Sequence, residues 1–251
     1  MHTENAFLCA ALVALHSLAV LQAEPAVQAG NAEAAAVRES SVRMTVCSRQ
    51  ETAASYSAYI RIPQFPDFPA LTARIQETVE AERRGFIADA GENPADGYDL
   101  PASAFQVRWK AGQIDENAVS LILEIYRYTG GAHGSTMLVP FNYDCRGARF
   151  LTLADLVGSP APGWTEKLAA DIRSRLEEQL LDGGDAGRDE REREWIREGT
   201  GNPETDFACF LFDGDRLTVR FGQYQVAPYS EGMPEVALWI PDYRTAEGTK
   251  E

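Results

Sequence analysis

The hydrophobic pattern is clearest around residues 119–143. Val119-Ser120-Leu121-Ile122-Leu123-Glu124-Ile125 is rich in strand formers, with Leu121, Leu123 and Ile125 on one face by period-two spacing. Met137, Val139, Phe141 and Tyr143 repeat that spacing further on. Between them lies Tyr128-Thr129-Gly130-Gly131-Ala132-His133-Gly134, whose glycines suit a tight connection with positive φ. The pattern predicts a hairpin at the centre of an antiparallel sheet, with a histidine in its bend.

Upstream, Met44–Cys47 and Ser55–Ile62 read as strands, the second closed by Pro63, which has no N–H for a ladder. Leu71, Ile75 and Val79 recur every four residues, with charges opposite, up to Phe86-Ile87. Asp67 is the candidate N-cap of this helix and Pro69 fits its first turn. Gly91–Gly97 is turn-rich and stops it, and Phe105–Lys110 alternates as a strand.

Downstream, Cys145–Arg149 reads as a turn, and a second amphipathic helix runs from about Trp164 to Leu181 with Leu168, Ile172, Leu176 and Leu180 as its stripe. Residues 182–194 are charged and glycine-rich, a solvated helix or loop anchored by Trp195-Ile196. Phe207–Phe212 and Leu217–Phe221 flank Asp213-Gly214, a strong hairpin signal. Tyr224–Tyr229 and Val236–Ile240 supply the last predicted strands. The order, without a repeating βαβ rhythm or a glycine-rich phosphate loop, predicts an α+β fold of antiparallel sheets with two main amphipathic helices.

The ends read differently. Ala6–Ala23 is a mostly apolar run followed by Glu24-Pro25, which predicts a secretory signal over 1–23, with a retained membrane anchor as the alternative. Its n-region lacks Lys and Arg. Residues 24–43 read as a disordered linker, 44–146 and 147–243 as two α+β subdomains, and 244–251 as a tail. No other stretch reaches the ~20 apolar residues that span a bilayer.

Charge and chemistry narrow the function classes. The chain of 251 residues carries a formal net charge of -15. Residues 1–23 hold one formal charge, Glu4, so the mature chain has 37 acidic against 23 basic residues, a net of -14. Such a surface disfavours nucleic acid and anionic membranes and favours cationic partners. After the predicted leader one histidine remains, His133. Cys47, Cys145 and Cys209 allow at most one intramolecular disulfide with one thiol left over, or serve as small buried apolar residues. A zinc site built from these three and His133 would lack close ligand spacing. A Ser or Cys nucleophile with His133 has no supporting elbow motif, and no acidic pair stands out for glycoside chemistry. No cofactor motif is present.

Several segments together carry a resemblance. They are Tyr126–Gly134, Phe141–Asp144, Leu151–Leu156, Trp195-Ile196, Asn202–Phe207 and Tyr224–Val236. The chain resembles the extracytoplasmic domain family shared by the lysozyme-sensing anti-sigma factor RsiV and the non-catalytic N-terminal part of the peptidoglycan deacetylase PdaC. The match in order and approximate spacing covers about residues 44–243. It implies a two-part α+β architecture, a periplasmic or secreted location and a binding role without chemistry of its own. Neither a sigma-binding segment nor a deacetylase domain is expected in the chain. The implied partner is a basic protein such as lysozyme, with peptidoglycan as the alternative and a hydrolase using His133 as a further one. The candidate ligand-binding residues are Tyr128, Gly130, Gly131, His133, Pro228 and Tyr229, with Tyr224 beside them. The competing reading makes the tyrosines core residues and the glycines turn-formers.

Overall fold

The computed structural model describes residues 42–92, 103–181 and 183–245. The expected leader, most of the linker and most of the tail lie outside the described residues. Among the described residues, no helix is long and apolar enough to cross a membrane.

The first sheet has six strands in sequence order: β1 (Thr45–Thr52), β2 (Tyr56–Gln64), β3 (Ser103–Ile114), β4 (Ala118–Tyr128), β5 (Ser135–Asp144) and β6 (Arg149–Phe150). All neighbours pair antiparallel except β2 and β3, which run parallel over Tyr56–Ile60 against Ser103–Val107. The α+β fold of antiparallel-rich sheets is as expected, and this one parallel pair is the departure from it. Helix α1 (Pro69–Glu92) is the crossover that a parallel pair requires. Two local readings also change. The strand β2 continues through Pro63, which sits opposite Val46 beyond the end of the parallel ladder, so no β3 residue needs its missing N–H. Asp67 does not cap α1. Its carboxylate takes Arg43 at 2.5 Å, while the Thr72 hydroxyl accepts from the Phe65 N–H at 2.8 Å and donates to the Phe65 carbonyl at 3.0 Å.

The periodicity of α1 explains its packing. Leu71, Ile75, Val79, Phe86 and Ala90 are buried against Ile60, Phe105, Leu121, Leu123 and Ile125. Charges flanking that stripe bond to the sheet, as in Arg83 to Glu51 at 2.5 Å and Arg127 to Asp89 at 2.6 Å.

The second sheet is β7 (Phe210–Asp213), β8 (Arg216–Arg220) and β9 (Glu235–Trp239), antiparallel throughout. Gly214, at φ 58°, opens the two-residue loop between β7 and β8. Between the sheets in sequence come α2 (Leu153–Val157), started by a capping box between Thr152 and Asp155, and α3 (Trp164–Leu180). They are followed by α4 (Ala186–Glu198), N-capped by Asp185, and α5 (Pro203–Asp206). Leu168, Ile172 and Leu176 of α3 pack with Ile196, Phe210, Phe212, Leu217 and Val219 in a second core. The segment Tyr224–Tyr229 is not a strand: it is a bent loop that ends in a 3-10 turn, Tyr229–Glu231.

The two sheets meet through the unpaired edge of β7. By alternation Phe210 and Phe212 turn their backbone groups away from β8, and side chains of the first sheet take them. The Phe212 N–H donates to Ser120 Oγ at 2.9 Å, and Asn142 Nδ2 donates to the Phe210 carbonyl at 3.0 Å. Ser120 Oγ donates to Asn142 Oδ1 at 2.7 Å, which closes the network. Both side chains are buried. Gly112 of β3 permits this approach, since a Cβ there would lie 2.3 Å from the Phe212 carbonyl oxygen. Arg220, itself buried, reaches Glu124 at 2.7 Å and Glu235 at 3.4 Å, and Lys110 reaches Glu235 at 2.7 Å. As a result β4 is buried on both faces, with Leu123 under α1 and Ser120 and Ile122 on the opposite side.

The cysteines do not form the disulfide that the count allowed. No bridge joins Cys47, Cys145 and Cys209. Cys47 and Cys145 border the first core, and burial pushes the thiol of Cys145 up to about 11 and that of Cys209 up to about 12. Among the described residues, no three His, Cys, Asp or Glu side chains converge as metal ligands, so the three cysteines and His133 are not brought together.

Leu123→Ala is expected to cost about 2–5 kcal/mol, as a fully buried leucine truncated under α1. Asn142→Ala is expected to cost about 1–3 kcal/mol by leaving the Phe210 carbonyl and the Ser120 hydroxyl without their partner. Chemical denaturation checks both. An unchanged midpoint for Asn142→Ala would show that the joint between the sheets does not depend on this network.

Candidate functional site

The bend between β4 and β5 and the loop after β8 meet on one surface, with His133 and Tyr224 lying 91 residues apart in sequence. The first is built around glycines. Gly130 and Gly131 sit at φ 108° and 92° at the exposed tip, where only glycine is free of strain. Gly134 is buried against the ring of Tyr126, with no room for a Cβ, which would fall 2.4 Å from that ring. The Tyr128 hydroxyl donates to the Gly131 carbonyl at 3.1 Å and so braces its own loop.

The second loop is held from beneath. Tyr224 occupies the left-handed region at φ 64°, an arrangement that costs a non-glycine residue on the order of 1–3 kcal/mol. The Trp195 indole N–H donates to the Tyr224 carbonyl at 2.8 Å. Gln225 Nε2 donates to the carbonyls of Asp206 at 3.0 Å and Gly199 at 3.2 Å. Gly199 is required there, because a Cβ would overlap the Gln225 carbonyl. Pro228, half-buried in extended conformation, leads into the 3-10 turn that presents Tyr229.

Where the loops meet, the His133 ring stacks on Tyr229 with centroids 3.9 Å apart and planes at 22°. Tyr224 lies 5.7 Å from Tyr229 and 6.3 Å from His133 by centroids. The Tyr224 hydroxyl is 3.2 Å from His133 Nε2, and His133 Nδ1 is 3.0 Å from the Gly134 carbonyl. A carbonyl only accepts, so Nδ1 carries the proton and Nε2 of the neutral ring accepts from Tyr224. The Tyr229 hydroxyl donates to the same Gly134 carbonyl at 3.4 Å, and the Thr136 N–H donates to Gln223 Oε1 at 2.8 Å. Of the candidates read from sequence, His133 and Tyr229 are therefore brought together, with Tyr224. Tyr128, Gly130, Gly131 and Pro228 shape the two loops around them. Tyr224 is half exposed, not a core residue. Gln223, which lies outside the segments that carried the resemblance, joins the site through its amide oxygen on the Thr136 N–H, and Gly134 and Trp195, which lie within them, join it through contacts that their motifs do not specify.

A separate cleft of about 880 Å³ lies between α1, β5, α2, α3 and α5. Its walls are apolar, with Val139, Phe150, Leu153, Trp164 and Phe207 among them, and its buried Asn142 already bonds Ser120 and Phe210. None of the six candidate residues lines it.

A helix-covered six-stranded sheet joined to a three-stranded sheet under a second helix places the protein in a known α+β class. The fold is similar to that of a DUF3298 family protein from Pseudomonas aeruginosa PAO1, with a TM-score of 0.55 and 19% identity over 80% of this chain and 91% of that one. A DUF3298 family member from Bacteroides fragilis NCTC 9343 gives a TM-score of 0.53 and 18% identity, with the same coverage. Residues 49–136 match the family described as deacetylase PdaC, and residues 160–239 match the protein family of unknown function DUF3298. The two matches lie one after the other along the chain, which is thus similar to a PdaC-like N-terminal part followed by a DUF3298 part. The chain is 28% identical over 132 residues to the peptidoglycan-N-acetylmuramic acid deacetylase PdaC of Bacillus subtilis (strain 168). The match spans 53% of this chain and 27% of that enzyme, about a quarter of the relative's length.

The hydrogen-bond pattern fixes the tautomer of His133. In the neutral ring the proton is expected on Nδ1, and long-range ¹H–¹⁵N correlation of the two ring nitrogens reads this directly. A neutral ring protonated on Nε2 would refute the contact with the Gly134 carbonyl.

Proposed function

We propose that this chain is a cell-wall-associated module, outside the cytoplasm, that binds a basic protein of the lysozyme kind through the joined loops. The observation that carries the reading is the convergence of the two most family-like segments into one exposed cluster of His133, Tyr224 and Tyr229. Aromatic rings with polar tips on braced loops offer large contact area at little ordering cost, as protein interfaces favour. The relative's name connects the family to peptidoglycan, which supports a place at the cell wall and hence a periplasmic or secreted location. The deacetylase activity of that enzyme is not part of the proposal, since the match covers a small part of it.

The chain's charge of -15 supports a cationic partner, and Glu231 lies exposed beside Tyr229. Attraction of this kind weakens as salt screens it. A hydrolase reading gains less support from the geometry. The His133 ring nitrogens face a carbonyl and a phenol, with neither a Ser or Cys nucleophile nor an orienting carboxylate among their hydrogen-bond partners.

Titration of the protein with a basic lysozyme at low and moderate salt tests the proposal. Binding is expected to weaken with salt and to fall at least about tenfold in Tyr229→Lys, a loss of about 1.4 kcal/mol, while Tyr229→Phe keeps most of it. No binding at either salt removes the lysozyme-like partner. Binding untouched by Tyr229→Lys removes the loops as its contact surface.

A further inference from the structure

The first sheet has a second exposed surface. On the face opposite α1, the second sheet covers β4 and the adjoining part of β3, but none of the described residues packs over β2 and the start of β3 there. By register and alternation this face displays Gln50 of β1, Tyr59 and Arg61 of β2, and Gln106 and Arg108 of β3. Gln50, Tyr59 and Gln106 stand in one row across three strands, with Tyr59 43% exposed. Arg61 and Arg108 each follow the last registered pair, Ile60 and Val107, by one residue, so they stand side by side on adjacent strands.

Both arginines are exposed, and neither has a carboxylate partner among the described residues. Arg108 bonds only the Gln106 amide, at 3.3 Å. The carboxylate opposite Arg108 on β4 is Glu124, which is engaged by Arg220 at 2.7 Å. Lys110, at the border with the second sheet, is paired with Glu235. The face is thus locally cationic on a protein whose net charge is -15. Other arginines of this subdomain, such as Arg83 and Arg127, have acidic partners.

We infer that this face is a binding surface for a carboxylate-bearing glycan strand. The charge complementarity selects an anion, and two arginines on strands whose backbones run about 4.8 Å apart present guanidinium forks that suit a carboxylate by two-pronged hydrogen bonding. The flat row supplies the rest: an exposed tyrosine ring stacks on the apolar face of a sugar, and an amide on either side bonds its hydroxyls. A flat, edge-to-edge row suits an extended polymer rather than a folded protein knob. The choice of glycan rests on the cell-wall placement proposed above, but not on what the loops bind.

The test uses the full chain and calorimetric titration with a soluble muramic-acid glycan chain whose lactyl carboxylates are free. A neutral chitin oligosaccharide of equal length and a single-stranded oligonucleotide serve as comparisons. The carboxylated glycan is expected to bind at least tenfold more tightly than either. The doubly substituted Arg61→Ser, Arg108→Ser protein and Tyr59→Ser should each weaken it at least tenfold with unchanged thermal unfolding. Tyr229→Lys should leave it unchanged, which separates this surface from the loop site. No binding by the unaltered protein, equal affinity for the neutral or nucleic-acid chain, or full affinity in the substituted proteins would each overturn the inference.

Discussion

The structure depends on how the free edge of β7 is satisfied. A three-stranded sheet exposes two edges, and each open edge presents backbone groups that must find partners once buried. Ser120 and Asn142 provide them from the face of the first sheet, bonding Phe212 and Phe210. Two of the four groups in this network are backbone, so no exchange of side chains for apolar ones can remove the demand for partners. The joint also requires Gly112, since any Cβ there would strike the Phe212 carbonyl. Around it, Arg220 spans Glu124 and Glu235 and ties the same two sheets by charge.

That joint sets where the functional surfaces lie. Once β7 sits on β4 and β5, the loop after β8 is carried to the bend between β4 and β5, and His133 stacks on Tyr229. The strained backbone at Tyr224 is held by Trp195 and the Gln225 amide, so the aromatic cluster is preorganised by α4 and α5 and not by its own sequence. The same docking covers β4 but stops short of β2. It leaves the row with Tyr59, Arg61 and Arg108 open to solvent. Burial of one part of the sheet face and exposure of the other thus have one origin.

Several misreadings trace to interactions that are not local. Pro63 reads as a strand end because its missing N–H is a defect in a two-sided ladder, yet β2 is unpaired on one side at that point. Asp67 has the chemistry of an N-cap, but a partner 24 residues upstream, Arg43, takes its carboxylate. Tyr224–Tyr229 has the composition of a strand and becomes a loop because the Tyr224 carbonyl takes the Trp195 indole N–H and the Gln225 side chain bonds the Gly199 carbonyl, in place of a ladder with a neighbouring strand. The parallel pairing of β2 and β3 escapes a reading by rhythm, since a single crossover helix makes no repeat.

The sequence by itself determined the parts whose signal lies within one element. The alternation of β4, the four-residue stripe of α1 and the stripe of α3 reflect burial against whatever lies above them, and burial is written in spacing. The glycines of the β4–β5 bend were likewise legible, because positive φ is a local demand. Only the tertiary structure decided that Ser120 and Asn142 are structural, that His133 faces a phenol and a carbonyl, and that Arg61 and Arg108 lack acidic partners among the described residues. Each of these depends on which atoms are brought close across tens of residues, and one-dimensional spacing carries no record of that proximity.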